Sequence, residues 1–197
     1  MKRVVFSFAI ALTAMSGYAD SISLGTPSYG GTGCPGGSAS FSLSPDAQSL
    51  SMLFDRYVVE AGGHTGMDLD RKTCNISVPV HVPQGLSIAI FKIDYRGFNS
   101  LPLGAYSQFN VEYFFAGSQG PSYRKTFKGN LQDNYLITNN LAAGSIVWSP
   151  CGKDVLLRVN SSMLAHTNAQ RQGTMATVDS ADLKSGLIYH MQWRRCQ

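Results

Sequence analysis

The chain is poor in charge: 14% of its 197 residues are Asp, Glu, Lys or Arg, and the two signs nearly cancel. That composition excludes an acidic solvating tail and a disordered polyelectrolyte. No apolar run reaches 18 residues, so no stretch is long enough to cross a bilayer as a helix. Heptads, internal repeats and low-complexity tracts are absent, and with them coiled coils and solenoids. No long amphipathic helix is legible; residues 181–184 offer one helical turn. Histidine is scarce, at four residues (His64, His81, His166, His190), and no two stand in a His-x-x-x-His ligand spacing. Of four cysteines, no two lie two to four residues apart, the spacing a structural zinc site needs.

The first residues read as a targeting device. Lys2 and Arg3 give a positive start, residues 4–15 an apolar run, and Gly17-Tyr18-Ala19 small residues where a signal peptidase reads. The expectation is a leader over residues 1–19, cleavage after Ala19, and a secreted or periplasmic domain over residues 20–197 with no membrane span. The formal charge of +4 falls to +2 when Lys2 and Arg3 leave. The remaining clusters, Arg124-Lys125 with Lys128 and Arg194-Arg195, are too sparse for the basic stripe that nucleic acid requires. A copper oxygenase of the chitin-cleaving kind needs His as its first mature residue, and Asp20 is expected there.

An even count of cysteines in an exported chain favours two disulfides. Three pairings are open. The expected one joins Cys34 to Cys74 and Cys151 to Cys196, because each pair brackets one block of strands. Each would close a loop of about 40 residues and contribute roughly 4 kcal/mol through chain entropy.

Period-two alternation dominates the rest. Ile76, Val78, Val80 and Val82 alternate with Asn75, Ser77, Pro79 and His81. Pro79 cannot donate to a ladder, so this strand is expected at an edge. The turn Pro83-Gln84-Gly85 suggests a hairpin to a strand over residues 87–96, where Lys92, Asp94 and Arg96 share a face. Further strands are expected over residues 39–43, 49–59, 107–115, 122–127, 134–138, 145–148, 155–161, 174–178 and 187–194, with a turn at 46–48 and a mobile loop over 62–70. Short, regularly spaced strands point to an all-β, single-domain antiparallel β-sandwich of jelly-roll or immunoglobulin-like topology. Phe54, Tyr113, Phe114, Trp148 and Trp193 are expected in its core.

Several segments in this order carry a resemblance: Gly33-Cys34-Pro35, Ser44-Pro45-Asp46, Phe54-Asp55, Arg71-Lys72-Thr73-Cys74, Asp94-Tyr95-Arg96-Gly97, Thr126-Phe127-Lys128-Gly129, Trp148-Ser149-Pro150-Cys151-Gly152 and Gln192-Trp193-Arg194-Arg195-Cys196. The chain resembles a family of small secreted fungal and bacterial proteins catalogued as a domain of unknown function. The resemblance implies export and four cysteines, and brings no catalytic residues.

Chemistry-bearing groups are few. Ala116-Gly117-Ser118-Gln119-Gly120 approximates a nucleophile elbow but leads into a strand, where the elbow needs a helix. Asp68 and Asp70, near His64, are the metal candidates, with Asp179 and Asp182 a second acidic pair. Lys92, Asp94 and Arg96 form either an internal ion pair or a binding cluster. Tyr29, Phe98, Tyr106 and Tyr123 are aromatics that could stack on sugars. Asn75-Ile76-Ser77 and Asn160-Ser161-Ser162 match the glycosylation acceptor pattern. The expected role is a non-catalytic surface module without a cofactor that binds a polysaccharide or cell-envelope ligand. The alternatives are a small hydrolase with two carboxylates about 5–10 Å apart, and a coat or matrix protein that self-associates through a sheet edge such as the Pro79 strand. The oligomeric state is left open.

Overall fold

Alternation of apolar and polar residues drives nearly every element, since each strand can bury one face and leave the other in water. The computed structural model describes residues 21–45, 49–140, 146–178 and 187–196. The leader, the turn at 46–48, Ser145, Asp179, Asp182 and the helical turn at 181–184 lie outside the described residues. Among the described residues thirteen strands are seen: β1 (Ser23–Leu24), β2 (Ser28–Gly30), β3 (Ala39–Leu43), β4 (Ser49–Phe54), β5 (Val58–Ala61), β6 (Leu69–His81), β7 (Leu86–Leu101), β8 (Tyr106–Phe115), β9 (Ser122–Lys128), β10 (Leu131–Asn140), β11 (Val155–His166), β12 (Thr174–Thr177) and β13 (Leu187–Arg195). One sheet has the order β1-β6-β11-β8-β9, with β2 also on β6. The other has the order β3-β4-β13-β7-β12-β5, with β10 also on β7. All named pairings are antiparallel.

The two sheets face each other across one apolar cluster. Ile76, Val78 and Val80 of β6, Leu157 and Val159 of β11, and Phe109 and Val111 of β8 oppose Leu50, Met52, Val59, Ile88 and Tyr95. Tyr95 and Phe109 meet edge-on from opposite sheets, with centroids 5.1 Å apart. Tyr57 reaches across to Ser161, hydroxyl to hydroxyl at 3.2 Å. Burial pushes the Tyr57 phenol above its ordinary range, with desolvation the leading cause. Gly97 lies where Tyr135 sends its hydroxyl to the carbonyl of Thr177. A Cβ at Gly97 would come far inside van der Waals contact with that carbonyl oxygen and with the Tyr135 hydroxyl, so no other residue fits without a shift of backbone.

Both disulfides form as expected, Cys34–Cys74 and Cys151–Cys196. The first fastens the glycine-rich segment over β6. Gly33 donates to the Thr73 carbonyl at 2.8 Å, and the Thr73 N–H donates to the Thr32 hydroxyl at 3.1 Å. The second clamps the end of β13 to the turn before β11, and the backbone at both ends of the bridge hydrogen-bonds to the start of β7 and the bend before it. Cys196 donates to the Gly85 carbonyl and Gly152 to the Leu86 carbonyl, each at 2.8 Å.

Several expectations are corrected. Pro83-Gln84-Gly85 does not close a hairpin: β6 and β7 belong to different sheets, so the turn arches from one layer to the other. Both strands bury a face in the same core, and only an arch lets consecutive strands face each other that way. Nor is the Pro79 strand an edge, because β11 covers one side of β6 and β1 and β2 the other. Pro79 accepts from Gly25 and stands between the stretches paired to β1 and β2, so its missing N–H falls where the covering strand is interrupted. This removes the proposed edge for self-association through that strand. Residues 49–59 split at Asp55-Arg56 into β4 and β5, which pair with different partners. Of the strand expected over 145–148, the described residues 146–148 contribute one bridge, Trp148 to Ala89. The 62–70 loop is shorter than expected, holding a 3₁₀ turn at Gly63–Thr65 before β6 begins at Leu69.

The mixed faces of β7 have a simple origin. Opposite the His190–Met191 step, β7 carries one extra residue, Phe91. This bulge shifts the alternation by one. Ile88 and Ile90 are buried before it; Tyr95, Gly97, Asn99 and Leu101 are buried after it.

Candidate functional site

The outward face of the β6-β11-β8-β9 sheet is mostly polar, with Leu69, Leu164 and Phe114 its apolar members besides Tyr106. Since cross-strand partners share a face, the register places the outward residues in rows. Leu69, His166, Tyr106 and Lys128 form the first row; Arg71, Leu164, Gln108 and Thr126 the next. Thr73, Ser162, Asn110 and Arg124 follow, and then Asn75, Asn160, Glu112 and Ser122. Ser77, Arg158 and Phe114 complete the face towards the other end. Four strands at a spacing of about 4.8 Å make this platform roughly 14 Å wide.

Its side chains hold one another in place. Arg124 Nε donates to Asn110 Oδ1 at 2.7 Å. Asn110 Nδ2 lies 3.4 Å from both the Ser162 hydroxyl and Gln108 Oε1. Arg71 Nη2 donates to the same Ser162 hydroxyl at 3.4 Å, and Gln108 Nε2 to the Thr126 hydroxyl at 3.2 Å. A shallow depression of about 560 Å³ lies over Arg71, Asn75, Asn110, Glu112, Arg124 and Asn160. At one end Tyr106 and His166 stack with centroids 5.0 Å apart and planes 11° from parallel. The His166 ring is steadied by its Nδ1, 2.6 Å from the Thr167 carbonyl. Amides, hydroxyls and guanidinium groups beside an aromatic shelf suit a hydroxylated ligand, because they offer donors and acceptors at fixed positions.

The residues singled out from the sequence are scattered by the fold. Tyr106 lies on the platform. Tyr123 turns inward and stacks on Tyr95 at 5.5 Å; burial raises its hydroxyl above the usual phenol range. Tyr29 packs on Phe41 at 5.6 Å. Lys92, Asp94 and Arg96 lie on the other sheet, on the opposite side of the sandwich. There Lys92 Nζ stands 3.5 Å from Asp94 Oδ2, and the Thr138 hydroxyl donates to Asp94 Oδ1 at 2.6 Å. Asp94 is thus engaged within the protein.

Asp68 and Asp70 are both occupied as well. Arg171 takes both oxygens of Asp68, its Nε at 2.9 Å and Nη2 at 3.1 Å. Asp70 accepts from the Glu60 N–H at 3.1 Å. Among the described residues no three His, Cys, Asp or Glu gather as a metal site. Ser118 sits in the β8–β9 turn and donates its hydroxyl to the Phe115 carbonyl at 2.6 Å. Among the described residues Glu112 is the one carboxylate lining the platform.

Phe54 and Tyr113 are core residues as expected, but Trp193 is 49% exposed. It lines an apolar groove of about 580 Å³ with Ile22, Leu24, Phe41 and Leu43, where the sandwich opens at one end. Trp148 is half-buried, with the Arg194 guanidinium 4.0 Å from its ring centroid. Phe114 lies on the outward face of β8.

Sequence reasoning missed most of the platform. Asn110, Gln108, Ser162 and Arg71 belong to strands that meet only in the sheet. The signal available was the acceptor pattern at Asn75 and Asn160: these two residues prove to be direct cross-strand partners on the outward face.

Comparison with known proteins bears on the whole chain. A family described as "Domain of unknown function (DUF4360)" matches residues 20–196. A protein from Arthroderma benhamiae, whose name reads "Uncharacterized secreted protein", is 35% identical over 170 residues, covering 85% of this chain and 69% of its own.

Proposed function

The chain belongs to the DUF4360 family, and from that premise we propose that this secreted protein is a non-catalytic binding module whose polar platform holds a polysaccharide or cell-envelope polymer. One observation carries the reading. Four adjacent strands present amide, hydroxyl and guanidinium groups row by row on an open face, with the Tyr106–His166 stack at one end. A flat, pre-organised face of this kind can bind a long polymer lying across it, because the fixed side chains lose little entropy on binding. The Cys151–Cys196 bridge ties the end of β13 in one sheet to the turn before β11 in the other, a cross-link that persists in an oxidising environment. Hydrolysis by paired carboxylates would need a second acid about 5–10 Å from Glu112, and among the described residues Glu112 is the one acid in the platform lining.

The test is retention of the mature protein on insoluble polysaccharides and cell-envelope preparations. Wild type is expected to be retained. The double variant Asn110→Ala/Asn160→Ala loses two ligand hydrogen bonds at about 1 kcal/mol each, a weakening of roughly thirtyfold. Gln132→Ala, on exposed β10 of the other sheet, is expected to bind as wild type. Retention of the double variant at the wild-type level, or failure of wild type to bind any polymer, would contradict the reading.

A further inference from the structure

We infer that the polymer held on the platform is acidic, a polysaccharide bearing uronate carboxylates. This rests on the platform being the binding face and names the ligand class it takes. The chain as a whole is close to neutral, yet its charge is unevenly placed. The outward rows carry Arg71, Arg124, Lys128 and Arg158 against the single carboxylate of Glu112. Three acids elsewhere are matched within the protein: Asp68 to Arg171, Asp94 to Lys92 and Asp154 to His81. Among the described residues none of the four platform cations is ion-paired.

Their contacts are to neutral groups. Arg124 donates to an amide oxygen and Arg71 to a hydroxyl. Arg158 keeps a buried Nε–H with no hydrogen-bond partner among the described residues. Neutral partners orient a guanidinium without cancelling its charge, so Arg71 and Arg124 stand on either side of Ser162 and Asn110 with their charge intact. A guanidinium fork matches a carboxylate in two parallel hydrogen bonds, and neighbouring amides take the sugar hydroxyls. The backbones that carry Arg71 and Arg124 are the outer two of four strands, roughly 14 Å apart, and both guanidinium groups reach inward, to Ser162 and to Asn110, so two cations stand over the middle of the face. Nucleic acid is the poorer fit: it calls for a dense basic stripe with several stacking rings, and Tyr106 with His166 supplies one stack.

The experiment compares de-esterified polygalacturonate with the same polymer fully methyl-esterified, using the intact mature protein. The backbone is identical and only the carboxylate charge differs. We expect at least about tenfold tighter binding to the de-esterified form at low salt, an advantage that disappears near 0.5 M NaCl as the charges are screened. Arg71→Ala/Arg124→Ala is expected to bind both forms alike, while Lys92→Ala, on the other sheet, keeps the discrimination. Equal binding of the two polymers by wild type, discrimination that survives loss of both arginines, or competition by single-stranded DNA as strong as by polygalacturonate overturns the acidic-polymer inference. In the first two cases binding itself remains and the platform reading stands; retention on no polymer at all overturns that reading instead.

Discussion

The double variant Cys34→Ala/Cys74→Ala is expected to lose about 4 kcal/mol of stability, the chain-entropy value for the loop it opens. The two cysteines are 40 residues apart and both are fully buried. The loss has a second source. The bridge presses the segment through Gly31 and Gly33 onto β6, where a Cβ on Gly31 would collide with the Thr73 carbonyl. Without the bridge this covering ribbon is free to peel from the edge of the sheet. At roughly 2–4 °C per kcal/mol for a chain of this size, the melting temperature should fall by about 8–16 °C. Cys151→Ala/Cys196→Ala opens a similar loop, separated by 45 residues. Cys151 is exposed, so that variant leaves no comparable void. Calorimetry of the two variants should therefore show the greater loss for the first. A loss below about 1 kcal/mol for Cys34→Ala/Cys74→Ala would contradict the role given to the bridge.

Phe109→Ala is expected to cost about 3–5 kcal/mol. Phe109 is fully buried on β8 and meets Tyr95 of β7 edge-on between the sheets. Truncation removes apolar transfer energy and one face of an aromatic pair, and two hydrogen-bonded sheets cannot collapse freely into the hole. Phe109→Leu keeps most of the volume and should cost about 1–2 kcal/mol. Urea unfolding followed by far-ultraviolet circular dichroism measures both. Similar, small losses for the two variants would mean that the sheets do not pack on one another here.

Much of the fold was legible because alternation is local. The inward set Ile76, Val78, Val80 and Val82 is buried as the pattern demands, and both disulfides join the cysteines that bracket blocks of strands. What was not legible depends on partners. Phe91 reads as one more apolar residue in an alternating run, and only pairing with β13 makes it a bulge. Pro79 signals an edge by its missing N–H, yet the interruption between β1 and β2 lets it sit inside a sheet. Trp193 is large and apolar but lies where the sandwich gapes.

The platform was the least legible part. Arg71, Asn110, Arg124 and Ser162 are unremarkable polar residues at strand positions. Their meaning comes from register, which no local pattern reports. The sequence drew attention to Lys92, Asp94 and Arg96 because they are close along the chain. The fold instead leaves Asp94 bonded to Lys92 and Thr138.

The most direct test of the account follows the side-chain amide signals of the mature protein by nuclear magnetic resonance during titration with oligogalacturonate. Asn75, Gln108, Asn110 and Asn160 should move together and saturate together, while Gln132 on β10 stays still. Silent platform amides, with the movement falling instead on the Trp193 indole or on residues 92–96, would contradict it.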